Sequence, residues 1–157
     1  MIGKVMRAAR MHEKGKPLDI DEIDIPQIRP TEVLVRVRAC GMVPNLQNVL
    51  DKWDEMAPDL PLPKMPAIFG LDVAGEVVRT GERVRDFKPG DRVYVNPLRV
   101  CGSCSACRNG HTLNCERMIL NGYFGIKPES ATLFEDYPYG GYAEYLPAPQ
   151  ESLVRIP

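Results

Sequence analysis

Apolar positions along this chain recur mostly at intervals of two, in short runs broken by proline and glycine, which is the pattern of half-buried strands. Residues 5–11 and 18–23 alternate in this way in part, and Lys14-Gly15-Lys16-Pro17 between them has turn chemistry, so a hairpin is predicted at the start. The stretch 32–40 alternates more cleanly, with Val33, Val35 and Val37 on one face, and is the clearest predicted strand. The period then changes. Leu46, Val49, Leu50 and Trp53 are spaced three and four apart, which predicts a short helix over 44–53, with Pro44 or Asn45 suited to its start.

Residues 57–66 carry Pro58, Pro61, Pro63 and Pro66, which bars regular structure and predicts an exposed connecting loop. The strand pattern resumes over 71–78, turns at Thr80-Gly81, and returns over 91–95 after Lys88-Pro89-Gly90. A cysteine-rich segment comes next, then a Gly- and Tyr-rich stretch ending at 140–146, and a last short apolar run over 153–156. Many short strands, few helices and Pro/Gly turns predict a mostly β fold, barrel-like or sandwich, with its chemistry on loops.

A chain of 157 residues with 44% hydrophobic content suffices for one domain, taken here as 1–157. With 20 basic and 21 acidic side chains it has no electrostatic footprint for nucleic acid or an anionic membrane, which leaves a small or neutral partner. No apolar run approaches the roughly 20 residues of a membrane span, and the first residues lack the apolar stretch of a secretory signal, so a cytoplasmic location is expected. Four of the five cysteines fall within fifteen residues, which in a reducing compartment points to metal and not to disulfides.

Those four are Cys101, Cys104, Cys107 and Cys115, in a lobe of about residues 98–118. Four thiolates can close a tetrahedron around zinc, and with no position left for water such a site is structural. The small residues between them allow a tight loop, and Gly110 permits the turn that returns Cys115. An iron–sulfur cluster is the main rival, but the usual ferredoxin run places its fourth cysteine after three residues and before a proline, whereas here seven residues intervene and Glu116 follows. Four unligated thiols are the remaining reading. His111 is a competing ligand or a solvated loop residue, and the latter fits better.

Several segments in order, 32–41 ending in Ala-Cys-Gly, Gly70-Leu71-Asp72-Val73-Ala74-Gly75, Gly90-Asp91-Arg92-Val93, the cysteine lobe and Gly140-Gly141-Tyr142-Ala143-Glu144-Tyr145, resemble the zinc-containing medium-chain alcohol dehydrogenases. The resemblance covers nearly the whole chain. It implies a GroES-like, partly open β-barrel with short helices and a zinc-binding lobe, followed in full-length relatives by a Rossmann domain that holds NAD or NADP. No Gly-x-Gly-x-x-Gly between a strand and a helix occurs here, so the chain is expected to be the first domain of a larger enzyme, without that second domain. An alcohol, carbonyl or enone substrate and a homo-oligomeric full-length protein are implied by the same resemblance.

The resemblance also exposes a departure. Relatives bind a catalytic zinc through a cysteine after the Ala-Cys-Gly strand and a histidine in a Gly-His-Glu motif; here Val43 stands at the usual second cysteine, Leu71 at the histidine and Asp72 at the glutamate. A catalytic zinc is therefore expected to be absent, unless Cys40, Asp72 and a residue beyond the chain supply an unusual ligand set. The same segments resemble the zinc-independent quinone oxidoreductase branch, which reads Gly-x-Asp-x-Ala-Gly. Without a Lewis acid, hydrogen-bond donors must polarise the substrate oxygen. Asn45, Asp72 and Cys40 are the candidate catalytic residues, with Asn48 and the start of the predicted helix as further donors.

Each candidate also has a plain structural reading. Cys40 suits a buried small hydrophobe. Asp72 suits a turn cap or an arginine partner, and Asn45 a helix cap. Tyr123, Tyr137, Tyr139, Tyr142 and Tyr145 suit packing, with one or two facing a pocket, and Arg79, Arg83 and Arg85 a solvated face. Two functions remain open: the catalytic domain of an NAD(P)-dependent oxidoreductase, inactive alone, and a free-standing zinc-stabilised interaction module.

Overall fold

Each run with strand periodicity forms a strand, and shorter pieces that the periodicity does not mark complete the sheets. A computed structural model describes residues 2–157. In chain order the described residues form β1 (Val5–Met11), β2 (Asp19–Asp24), β3 (Glu32–Cys40), α1 (Leu46–Met56), β4 (Ala67–Ile68), β5 (Val73–Thr80), β6 (Arg92–Val95), β7 (Leu98–Arg99), α2 (Ser105–Arg108), β8 (Ile119–Leu120), α3 (Leu133–Asp136), β9 (Tyr145–Pro149) and β10 (Leu153–Arg155). None of the helices is long and apolar enough to cross a membrane.

The predicted hairpin is β1 against β2, in register from Val5↔Asp24 to Arg10↔Asp19, and β4 adds to the other edge of β1. The larger sheet runs β10-β6-β5-β3-β9, all antiparallel. It curls so that Val33, Val35, Val73, Val77, Val93, Val95 and Leu146 form one apolar interior. Leu34 points the other way and is as fully buried, packing with Met6 and Ile25. Strand β3 thus has apolar cover on both faces at its start, beyond the single valine face that its alternation predicts. The two sheets meet at one bridge, Ala8↔Ala143, which leaves the barrel partly open.

Helix α1 buries Leu46, Val49, Leu50 and Trp53, the four positions that predicted it, against Met11, Ala67 and Phe69. The segment 57–66 is irregular, as its prolines require, but it is not simply exposed. Leu60, Leu62 and Met65 pack against the α1 cluster, and the Trp53 indole N–H donates to the Leu60 carbonyl at 2.6 Å. Proline forbids ladder hydrogen bonds without forbidding burial, and these apolar side chains take the burial. Arg79 likewise leaves the solvated face expected for it: it is half-buried and donates through Nη2 to the Pro26 carbonyl.

Candidate functional site

Strands β7 and β8 pair through only two rungs, Leu98↔Leu120 and Arg99↔Ile119, and so clamp the two ends of the cysteine lobe. Cys104 stands at the start of α2 and Cys107 lies within it. Gly110, at a φ of 80°, then turns the chain, and one 3-10 turn over Thr112–Asn114 delivers Cys115 to a fully buried position. The four sulfur-bearing side chains converge, with all Sγ atoms within 4.8 Å of one another and Cys101 and Cys115 3.6 Å apart.

Tetrahedral zinc with bonds of about 2.3 Å calls for sulfurs about 3.8 Å apart, so the four thiols can hold that ion with small adjustments. His111 is exposed and stands outside the cluster. The thiols are electrostatically unlike. Burial alone would raise Cys101, but the Ser103 and Cys104 N–H groups, the Ser103 hydroxyl and the Cys115 thiol donate to it and bring its pKa down to about 6. Cys107 is pushed up to about 12 by burial and by its thiol neighbours Cys104 and Cys115. Metal binding at the cluster must therefore displace protons unevenly, with Cys101 the thiol already poised as a thiolate and Cys107 one that must give up its proton.

The second site lies where β3 ends and β5 begins. The Gly41 N–H donates to the Asp72 carbonyl at 2.8 Å, and the Tyr94 hydroxyl donates to Asp72 Oδ1 at 3.1 Å. The candidates Cys40 and Asp72 are thus neighbours. The Cys40 thiol is wedged so tightly that a Cβ on Gly70 would lie 2.9 Å from it. Burial, and then the Asp72 charge, push its pKa up to about 11, so the thiol is protonated at neutral pH. Leu71 turns toward α1 and joins that apolar cluster.

Asn45 precedes α1, yet its side chain caps no backbone N–H; its Oδ1 accepts from Asn48 Nδ2 at 3.1 Å. This position reaches the rest of the site through tyrosines. Its amide lies beside the Tyr123 phenol, and Tyr142 feels both Tyr123 and Cys40. Tyr123 is brought there by Gly122, at a φ of 73°, where a Cβ would collide with the Gly70 carbonyl and approach Gly140 Cα to 2.8 Å. That contact links the segment after the lobe to the Gly70–Asp72 turn, a juxtaposition without a signal in residue spacing.

Tyr142 is the ridge between two concavities. One, of about 430 Å³, runs along α1 and is walled by Leu18, Met42, Val43, Leu46, Leu50 and Tyr142. The other, of about 500 Å³, lies in the open seam between β1 and β3, with Cys40 and Gly141 in its lining. Large apolar side chains stand in water at both rims, Met42 at 83% and Ile20 at 70% exposure. Apolar rims of this kind mark binding or interface surfaces.

The alcohol dehydrogenase GroES-like domain profile matches residues 29–157. An alcohol dehydrogenase of Geobacillus stearothermophilus is 34% identical over 154 residues, covering 97% of this chain and 40% of the relative. The solved structure of an NAD-dependent alcohol dehydrogenase superposes with a TM-score of 0.77 at 30% identity, over 97% of this chain and 40% of that one. A cobalt- and zinc-bound thermostable alcohol dehydrogenase from Pyrobaculum aerophilum gives a TM-score of 0.70 at 33% identity, over 96% of this chain and 41% of that one. The chain thus spans about 40% of the length of these relatives. Barrel, lobe and sequence agree, and the chain belongs to the alcohol dehydrogenase GroES-like domain family.

Proposed function

We propose that this chain, residues 1–157, is the substrate-side domain of a cytoplasmic, homo-oligomeric NAD(P)-dependent oxidoreductase that moves a hydride between a nicotinamide and a small alcohol, carbonyl or enone. The nicotinamide would be held mainly by a second domain and supplies the hydride. The observation that carries the reading is the apolar cleft along α1, which opens beside Asn45 and Tyr142 in a chain of this family. A closed zinc in the four-cysteine lobe fixes the fold and takes no part in the reaction.

In this reading the cleft's aliphatic wall binds the carbon skeleton and excludes water. Asn45 is the donor side of the site: its Oδ1 accepts from Asn48, which leaves its amide N–H groups to donate to a substrate oxygen. Asp72 positions the β3 turn through Gly41 and Tyr94. Cys40, protonated and wedged among glycines, holds the turn's shape and does not act as a nucleophile. Oxygen polarisation by such donors, in place of a metal, is what distinguishes this site from that of a zinc-type relative.

The test is consumption of reduced nicotinamide by the complete protein with a panel of aldehydes, ketones and enones. Turnover that falls more than about tenfold in Asn45→Ala supports the reading, this being the usual scale for losing one preorganised donor. No turnover with any member, by a folded and zinc-loaded protein, would leave the interaction-module alternative standing.

A further inference from the structure

The dipeptide Asn-Gly occurs twice in this chain, at 109–110 and at 121–122. In such a pair the glycine backbone nitrogen can attack the asparagine side-chain carbonyl, because no Cβ on the second residue hinders the approach. The two copies have opposite surroundings. Asn121 is 4% exposed, and Gly122, at a φ of 73°, is pressed so closely on the Gly70 carbonyl that a Cβ there would clash. Neither the chain movement that ring closure needs nor the water that must follow is available there. Asn109 and Gly110 are both exposed, and a Cβ on Gly110 would meet nothing within 4 Å.

What restrains Asn109 is the geometry of the lobe. It closes α2 at a φ of −90° and a ψ of 7°. With ψ near zero the Gly110 nitrogen is nearly eclipsed with the Asn109 nitrogen, and is turned away from the side chain it would attack. The Gly110 N–H donates to the Cys107 carbonyl at 3.1 Å, and Asn109 Nδ2 donates to Ser105 Oγ at 3.5 Å. Helix α2 is four residues long and buries none of them, far below the roughly 12–15 residues at which a helix begins to stand alone. Cys104 at its start and Cys107 within it are the points where a metal ties it down.

We propose that Asn109 is a deamidation site guarded by the lobe's zinc, and that its conversion makes zinc loss irreversible. The proposal rests on the closed zinc reading of the four thiols and not on hydride transfer. In the opened lobe the Gly110 nitrogen bonds to Asn109 Cγ and gives its proton to water, while the Cγ–Nδ2 bond breaks and ammonia leaves. The product is a five-membered imide. Water then adds to one of its two carbonyl carbons and cleaves that carbon's bond to the ring nitrogen. Addition at Cγ gives aspartate; addition at the backbone carbonyl gives isoaspartate, in which the main chain runs through Cβ and Cγ. Nothing is oxidised or reduced. Either product puts a negative charge two residues from the Cys107 thiolate. Isoaspartate also lengthens the chain just before the Gly110 turn that returns Cys115 to the cluster.

The experiment incubates the complete protein for days at neutral pH and physiological temperature, zinc-loaded and after chelation, with a phosphine reductant to keep the thiols reduced. Mass spectrometry then follows the peptides that contain 109–110 and 121–122. Asn109 should convert more than about tenfold faster without zinc, the scale on which a misplaced reacting pair loses rate, while Asn121 stays intact in both samples. When zinc is returned, the fraction of chains that fail to rebind it should equal the converted fraction. Asn109→Gln, whose longer side chain closes the ring poorly, should rebind zinc fully after the same treatment. Equal conversion of Asn109 with and without zinc, or conversion of Asn121 as fast as Asn109 after chelation, overturns the proposal. So does full rebinding by converted chains, or a failure of Asn109→Gln to rebind. A wild type that takes up no zinc before any treatment overturns the zinc reading with it.

Discussion

Chelating the metal from the cysteine lobe should open residues 101–115 while the barrel stays folded. Between Cys101 and Cys115 the only buried side chains that count toward the core are the thiols of Cys104 and Cys115 themselves. The lobe is otherwise closed by the two rungs of β7 and β8 and by one short helix. A closed thiolate zinc site contributes about 10–16 kcal/mol in small zinc domains, comparable with the whole stability of a typical domain at about 5–15 kcal/mol. Without it, fixing each lobe residue costs about 1–2 kcal/mol of backbone entropy, with almost no apolar burial in return. The opening free energy of the lobe should therefore fall to near zero. Hydrogen exchange measures this directly: after chelation the amides of 101–115 should exchange at nearly unprotected rates, while those of β3 and β5 keep their protection. Trp53, buried in the separate α1 cluster, should keep its fluorescence. Unchanged protection of the lobe after verified metal loss would refute the reasoning, because packing would then suffice to hold the four thiols.

Other perturbations discriminate between contacts of different weight. Gly122→Ala should destabilise by about 1–3 kcal/mol, since the new Cβ meets the Gly70 carbonyl at a left-handed φ; a thermal midpoint equal to wild type would contradict the packing described. Arg7→Ala removes a pair whose side chains are 71% and 42% exposed, and chemical denaturation should detect almost no change.

Much of the barrel is legible in the sequence because its strands bury one face and therefore alternate. The hairpin and the four buried positions of α1 follow from spacing alone, and the four cysteines converge as their spacing implies. What escapes is what depends on distant partners. Strand β9 runs through Pro147 and Pro149, residues that argue against a strand, and is tolerated because β9 is the last strand of its sheet and needs donors on one side only. Strands β4, β7 and β8 are two residues long, too short for any periodicity. In the candidate site, Cys40, Asp72 and Asn45 are marked by their place in family motifs, but the partners that join them are not. Tyr94 on Asp72 and Tyr123 beside Asn45 are brought there by the sheet and by the Gly122–Gly70 contact.

In the division of labour proposed here a zinc holds the lobe and hydrogen-bond donors work the site. Metal counting by mass spectrometry on the purified, complete protein tests this most directly. One zinc per chain, absent from a Cys104→Ser and Cys115→Ser double variant, is the predicted result. Two zincs per chain, with one surviving that double substitution and lost with activity, would contradict it.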